Sequence, residues 1–324
     1  MSGHQHNGPP GGRHAGTISA NDISMLLVVL IWGANFSIVK LALAQIPPLA
    51  FTALRFTIAS AILMLILWWR EGKTSLPAGT LWKLVWLGVV GNTLYQGFFI
   101  IGLSITTAAN SALLVATTPV MVALLGALTG VERLTRNVAA GVALAFTGIA
   151  LVIAARGVTL SRATLWGDAL VFIGVIFWSI YTLGVRSLVG NISSLRITAL
   201  TMVTGTPGLI VLGVPGLLAV EWKLLDVRAW GGLAYAALLA LVVAYVLWNL
   251  SIRKVGGSRT AIYTCVTPLI AAIVAWALLG ERPVPLQGVG AVLIVVGVLL
   301  TRRTRKKAET TINLVTEERE VHFT

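Results

Sequence analysis

DISMLLVVLIWGANFSIVK (residues 22–40) and DALVFIGVIFWSIYTLGVR (residues 168–186) are apolar stretches that align without a gap. Asp22, Trp32 and Lys40 correspond to Asp168, Trp178 and Arg186, each pair 146 positions apart. Both stretches carry a charge at either end and none between, and both approach the ~20 mostly apolar residues that a membrane-spanning helix needs. A second match lies downstream of each. Thr118-Pro119, Glu132-Arg133, Gly141 and Gly148 correspond to Thr267-Pro268, Glu281-Arg282, Gly290 and Gly297, now 149 positions apart. One plan is written twice along the chain.

The rest of the sequence fits a membrane protein. Of 324 residues, 57% are hydrophobic and 11% charged, with a mean hydropathy of +0.90, where a soluble domain carries roughly a quarter charged residues. Apolar runs between charged or Pro/Gly breaks place helices at roughly 23–45, 48–69, 81–104, 107–129, 136–155, 165–187, 195–214, 229–252, 258–279 and 285–301. The first run is too long for a signal-peptide core and lacks a small-residue cleavage site, so it is read as a retained helix. Residues 1–22, rich in Gly, Pro, His and Asn, read as a disordered cytoplasmic tail, and residues 302–324 as a basic and polar one. All four histidines (His4, His6, His14 and His322) lie in these tails. The spans therefore offer no Ser/His pair, no H-E-x-x-H zinc site and no histidine relay, and neither a metal nor a cofactor is expected. The single cysteine, Cys265, can form no internal disulfide.

The formal net charge of +13 would suggest nucleic-acid binding in a soluble protein, but here the basic residues flank apolar runs and report orientation. Placing both termini in the cytoplasm leaves Lys40, Arg156, Arg162, Lys223, Arg228 and Arg282 outside, and every other Lys and Arg except Arg55 inside. That is the arrangement the positive-inside rule favours. Short connections make consecutive helices antiparallel, and a half of five spans must enter the membrane from the side opposite its twin. The expected fold is an all-α polytopic membrane protein of ten transmembrane helices, built as two inverted five-helix repeats (23–155 and 165–301) around a central cavity. Inverted repeats serve secondary transporters that rock about a midplane site; a duplicated scaffold or receptor without flux would carry the same pattern.

The residues Ile31-Trp32-Gly33-Ala34-Asn35-Phe36, Leu54-Arg55-Phe56, Thr118-Pro119 with Gly130-Val131-Glu132-Arg133, and Thr267-Pro268 with Leu279-Gly280-Glu281-Arg282-Pro283 resemble the drug/metabolite transporter superfamily. The likeness covers about residues 23–301 and is to ten-helix members with two EamA-type repeats. It implies export of amino acids, related metabolites or drug-like cations across a bacterial inner membrane, and the chain is similar to the aromatic amino-acid exporters.

Helical periodicity gathers the candidate binding residues. Trp32, Asn35, Phe36 and Val39 share a face of the first helix, as Trp178, Tyr181, Thr182 and Val185 do on the sixth. The third offers Asn92, Tyr95, Gln96 and Phe99, and the eighth Tyr245, Trp248, Asn249 and Ile252. The fourth and ninth add Asn110, Ser111, Leu114 and Thr118 against Tyr263, Thr264 and Thr267. Aromatic walls with few amides suit amphiphilic zwitterions or flat cations. The substrate-binding set is Trp32, Asn35, Tyr95, Gln96, Phe99, Trp178, Tyr181, Tyr245, Trp248, Asn249 and Tyr263. For any one of them, helix–helix glue or an interfacial aromatic belt is the plainer role.

Pro119 and Pro268 should kink the fourth and ninth helices, the kinks serving as gating hinges or as fixed packing features. Gly141, Gly148, Gly290 and Gly297, seven apart within each pair, permit close helix contact. Arg55 stands alone as a charge well inside a span: it could hold a substrate carboxylate, snorkel to the outer surface or bond carbonyls. Asp22, Lys40, Asp168 and Arg186 read as interfacial anchors. No Asp or Glu lies near mid-span, which disfavours carboxylate-based proton exchange and favours a facilitative carrier. Lacking a membrane histidine, a GxGD motif or an acidic cluster, the chain is not expected to be an enzyme. The expected partners are the lipid bilayer and a small amphiphilic substrate, with a monomer as the working unit and no nucleic acid.

Overall fold

The computed structural model describes residues 20–72, 76, 79–130, 135–155, 161–186, 188, 192–255 and 263–300, excepting the side chains of Arg186, Asn249, residues 252–255, Thr264 and Cys265. Both tails beyond these limits, with the histidines, and the Glu132-Arg133 pair lie outside the described residues. Ten helices follow in order: α1 (Ala20–Ala42), α2 (Pro48–Glu71), α3 (Thr80–Ile105), α4 (Ala108–Leu128), α5 (Arg136–Ala154), α6 (Arg162–Arg186), α7 (Ser194–Ala219), α8 (from Val227 to Val255), α9 (Thr267–Leu279) and α10 (Pro285–Leu300). Eight are long and apolar enough to cross a membrane; α9 and α10 are apolar but shorter.

Two boundaries differ from expectation for identifiable reasons. The seventh helix was expected to stop before Pro215, since proline removes a helical hydrogen bond, yet α7 carries both Pro207 and Pro215 and runs on to Ala219. Packing holds its last turns: a Cβ on Gly213 would meet Ala53 Cβ at 2.8 Å, and one on Gly216 would meet Pro47 Cβ at 3.0 Å, so α7 presses directly on α2. The ninth was expected from residue 258, whereas its α-helix starts at Thr267 behind a 3-10 turn over Tyr263–Val266. Pro268 falls in the first turn, where its missing N–H is no loss. Pro119 does the same on α4, which breaks between Val115 and Thr118 and restarts. Both prolines therefore sit at helix starts instead of kinking a continuous helix.

The third helix of each half contains a π-helical stretch, Val89–Leu94 in α3 and Tyr235–Val243 in α8. Such turns shift backbone pairing, and here side-chain to main-chain hydrogen bonds join each stretch to a neighbouring helix. Asn92 Nδ2 donates to Thr201 O (2.8 Å) and Thr93 Oγ1 to Gly205 O (2.7 Å), tying α3 to α7. Trp32 Nε1 donates to Ala240 O (3.1 Å) and Tyr235 Oη to Ile31 O (2.9 Å), tying α1 to α8.

The two halves are related by a pseudo-twofold that individual contacts obey. A Cβ on Gly148 would sit 2.6 Å from Gly290 O, and one on Gly297 would sit 2.6 Å from Gly141 O; the repeat maps each contact onto the other. The glycines thus let α5 and α10 meet backbone to backbone, as their spacing suggested. On α2 and α7, Ser60 Oγ and Thr206 Oγ1, also 146 positions apart, meet at 2.8 Å. With these two pairs on the pseudo-axis, α1 packs on α8 and α9, and α6 on α3 and α4. Those six helices are the ones whose faces carry the candidate site.

Candidate functional site

Two aromatic clusters form where the first helix of one half meets the third helix of the other. On α1 and α8, the Trp32 ring lies 5.1 Å from Trp248 and 6.0 Å from Tyr245, centroid to centroid. On α6 and α3, Trp178 lies 4.9 Å from Tyr95, with Tyr181 stacked 4.9 Å on its other side. Tyr95 continues to Phe99 (5.7 Å), and Phe99 to Phe36 (5.9 Å). Trp32 and Trp178, equivalent by the repeat, play the same part in each cluster. Tyr95, Tyr181 and Tyr245 are half-buried, as are Trp32, Asn35, Trp178 and Trp248.

The remaining expected residues take different places. Gln96 is buried on the same turn as Tyr95. Phe99 is 5% exposed and closes the cluster edge. Tyr263 packs against the same buried cluster as Trp32 and Trp248 but spends its hydroxyl on Asp22, near the start of α1. The Asn249 side chain lies outside the described residues. Asn35 keeps its Oδ1 buried with no hydrogen-bond partner. Asn92 faces α7 rather than the rings and serves as glue.

Arg55 is the residue that sequence reasoning weighed but left out of the site. It is 2% exposed, so it does not snorkel. Nη2 donates to Gln96 Oε1 at 2.5 Å, Nε has no partner, and the guanidinium lies 5.7 Å from the Phe51 centroid and 5.5 Å from that of Phe56, within cation–π range. Among the described residues no carboxylate pairs with it. The signal was present in the sequence as a lone charge in a span.

The expected anchors are also corrected. Asp168 is 2% exposed and accepts a hydrogen bond from Thr106 Oγ1, so it ties α6 to the start of α4 rather than meeting lipid headgroups. Lys40 donates to Thr106 O and lies 3.6 Å from Glu281. Glu281 in turn accepts from Ala108 N (3.0 Å) and Ala109 N (3.2 Å), capping α4 from the α9–α10 connection. Nearby, Gln287 Nε2 donates to Asn110 Oδ1 at 2.9 Å. Together these bonds draw α1, α4, α6, α9 and α10 together at one end of the bundle. A separate, apolar pocket of about 190 Å³ opens between α4, α5 and α6, lined by Leu114, Phe146, Ile149 and Phe172 among others.

Comparison with known proteins agrees with this architecture. The description "EamA-like transporter family" matches residues 20–154 and again 165–303. The chain is similar to the "Uncharacterized transporter YyaM" of Bacillus subtilis, with 30% identity over 86% of this chain and 92% of that one. It is also similar to a "Probable terminal-alkyne amino-acid exporter" of Streptantibioticus cattleyicolor, with 27% identity covering 89% and 96% of the two chains. A "Probable amino-acid metabolite efflux pump" of Escherichia coli shares 26% identity over 85% and 92%. One crystal structure aligns at TM-score 0.60 over 90% of this chain and 100% of its own, at 18% identity, which is a likeness of fold. With both halves matched by one family and both built on the same five-helix plan, the chain is a multi-pass membrane protein that belongs to the EamA-like transporter family.

Proposed function

We propose that this protein is a secondary carrier that exports amino acids and related amphiphilic metabolites by alternating access between its inverted halves. Trp32, Tyr95, Trp178, Tyr181, Tyr245 and Trp248 wall the passage, Phe99 and Tyr263 close its edges, and Asn35, Gln96 and Asn249 orient polar groups. The breaks at Pro119 and Pro268 act as hinges, one in each half. The observation that carries this reading is the pair of aromatic clusters, each built where the first helix of one half meets the third helix of the other, since a midplane site lined by both halves is what a rocking carrier needs. Two of the similar proteins bear names that refer to amino-acid export. The distribution of Lys and Arg supports cytoplasmic termini and, with the bacterial relatives, an inner-membrane location.

A multidrug carrier for flat cations would use the same rings. The buried guanidinium of Arg55 beside them disfavours a cationic cargo by like-charge repulsion. The test is counterflow of labelled aromatic and aliphatic amino acids in proteoliposomes, with and without an imposed proton gradient. Flux of an amino acid without any ion gradient is the expected result. Absence of flux for every amino acid under both conditions, with flux of an organic cation, would overturn the reading.

A further inference from the structure

We propose that Arg55 is the receptor for the carboxylate of the cargo and that Gln96 is the group the cargo displaces. The proposal rests on the carrier reading above and narrows its substrate class to amphiphilic carboxylates, α-amino acids among them. An arginine almost wholly withdrawn from solvent and facing no acidic partner among the described residues is an incomplete ion pair, and a buried charge without a counter-charge is costly. Its Nε is unpaired, and Nη2 holds only the neutral oxygen of Gln96. Nε–H and Nη2–H project along one edge of the planar guanidinium, the edge that takes a carboxylate with two parallel hydrogen bonds. A carboxylate arriving there would satisfy Nε, replace Gln96 Oε1 on Nη2 with a stronger acceptor, and leave the Gln96 amide free to turn its NH₂ toward the same anion.

The surroundings match such a cargo. Gln96, which holds Arg55, directly follows Tyr95 on α3, so the anion would enter beside the Tyr95–Trp178 cluster and its apolar part would lie against those rings. Asn35 supplies a buried carbonyl oxygen with no partner, suited to an ammonium donor, and the indole faces of Trp32 and Trp178 attract the same charge. Acceptor at one place and donor at another is the pattern a zwitterion requires.

The experiment uses the full chain in lipid nanodiscs and four probes: L-phenylalanine, its methyl ester, phenethylamine and 3-phenylpropionate. Binding is followed by intrinsic tryptophan fluorescence and counterflow is measured in parallel. We expect the unaltered protein to bind the two carboxylates at least about tenfold more tightly than the two probes without one, the equivalent of one charge-assisted pair. Arg55→Gln should bring the four within about twofold of one another, and Arg55→Lys, which keeps the charge and loses the fork, should fall between. Equal binding of acid and ester by the unaltered protein overturns the proposal without any variant, and an undiminished preference in Arg55→Gln overturns it as well. Carboxylate-dependent binding without counterflow would leave Arg55 in its role and remove the carrier reading. Amino-acid flux indifferent to Arg55→Gln would do the reverse, and failure of all four probes to bind would remove both.

Discussion

Replacing Glu281 by Gln should loosen one mouth of the bundle, and the size of the effect follows from its three contacts. The carboxylate accepts from Ala108 N at 3.0 Å and Ala109 N at 3.2 Å and lies 3.6 Å from Lys40 Nζ. Hydrogen bonds to a charged group contribute about 1.5–3 kcal/mol each, neutral ones about 1, and Gln retains one acceptor oxygen for the helix terminus. The Lys40 pair is partly exposed, with side-chain accessibilities of 25% and 17%, so its own share is at most ~1 kcal/mol. The net loss is about 2 kcal/mol, which corresponds to roughly a 30-fold shift toward the state in which this mouth is open.

Ser111, fully buried one turn inside α4, reports on that state when changed to Cys in a Cys265→Ser background. Its alkylation by a maleimide should accelerate roughly 30-fold in Glu281→Gln, in proportion to the open population. Ser179, equally buried on α6, serves as the control when changed to Cys, because general unfolding would accelerate both sites. An unchanged rate at position 111, or equal acceleration at 111 and 179, would refute the assignment of Glu281 as a tie that holds the mouth closed.

Gly148→Ala should lower thermal stability by about 1–3 kcal/mol, the usual cost of overpacking, because its Cβ would lie 2.6 Å from Gly290 O. Gly290→Ala should match it, while Gly97→Ala, where nothing lies within 4 Å, should be neutral in the same melting experiment. Asn92→Leu should cost about 1–2 kcal/mol through the lost bond to Thr201 O and leave KM for transport unchanged; a large KM effect would move Asn92 from glue to site.

The fold was legible because its determinants are periodic and repeated. Apolar length announced the helices, and the offsets of 146 and 149 between equivalent residues announced the inversion, which the swapped contacts Gly148–Gly290 and Gly141–Gly297 obey. The aromatic clusters were legible for the same reason, since i, i+3 and i+4 spacing places Trp32 with Asn35 and Trp178 with Tyr181 on one face. Partner choice was not. Helical spacing shows which side chains share a face but not which neighbour that face meets, so Asn92 and Gln96, four residues apart on α3, could not be told apart. One donates to α7 and the other holds Arg55. The same gap hid the role of Asp168, whose partner Thr106 is 62 residues away in sequence, and that of Glu281, which caps a helix 173 residues earlier.

The ties between halves have a logic that bears on how such a carrier would cycle. Asp168, near the start of the first helix of the second half, accepts a hydrogen bond from Thr106, just ahead of the fourth helix of the first half. Asp22, near the start of the first helix of the first half, accepts one from Tyr263, just ahead of the fourth helix of the second. Inversion puts the two aspartates at opposite ends of the bundle, so each end is fastened by a carboxylate of one half on a hydroxyl of the other, the hydroxyls coming from different positions of the repeat. Two conformations can interconvert readily only if they differ by a few kcal/mol, and a carboxylate–hydroxyl tie at each mouth contributes to both sides of that balance. What then distinguishes the mouths is what each adds to the common tie. Among the described residues, the Lys40 end adds the Glu281 cap on α4, so the loss of Glu281 should move the balance toward the state open at that end.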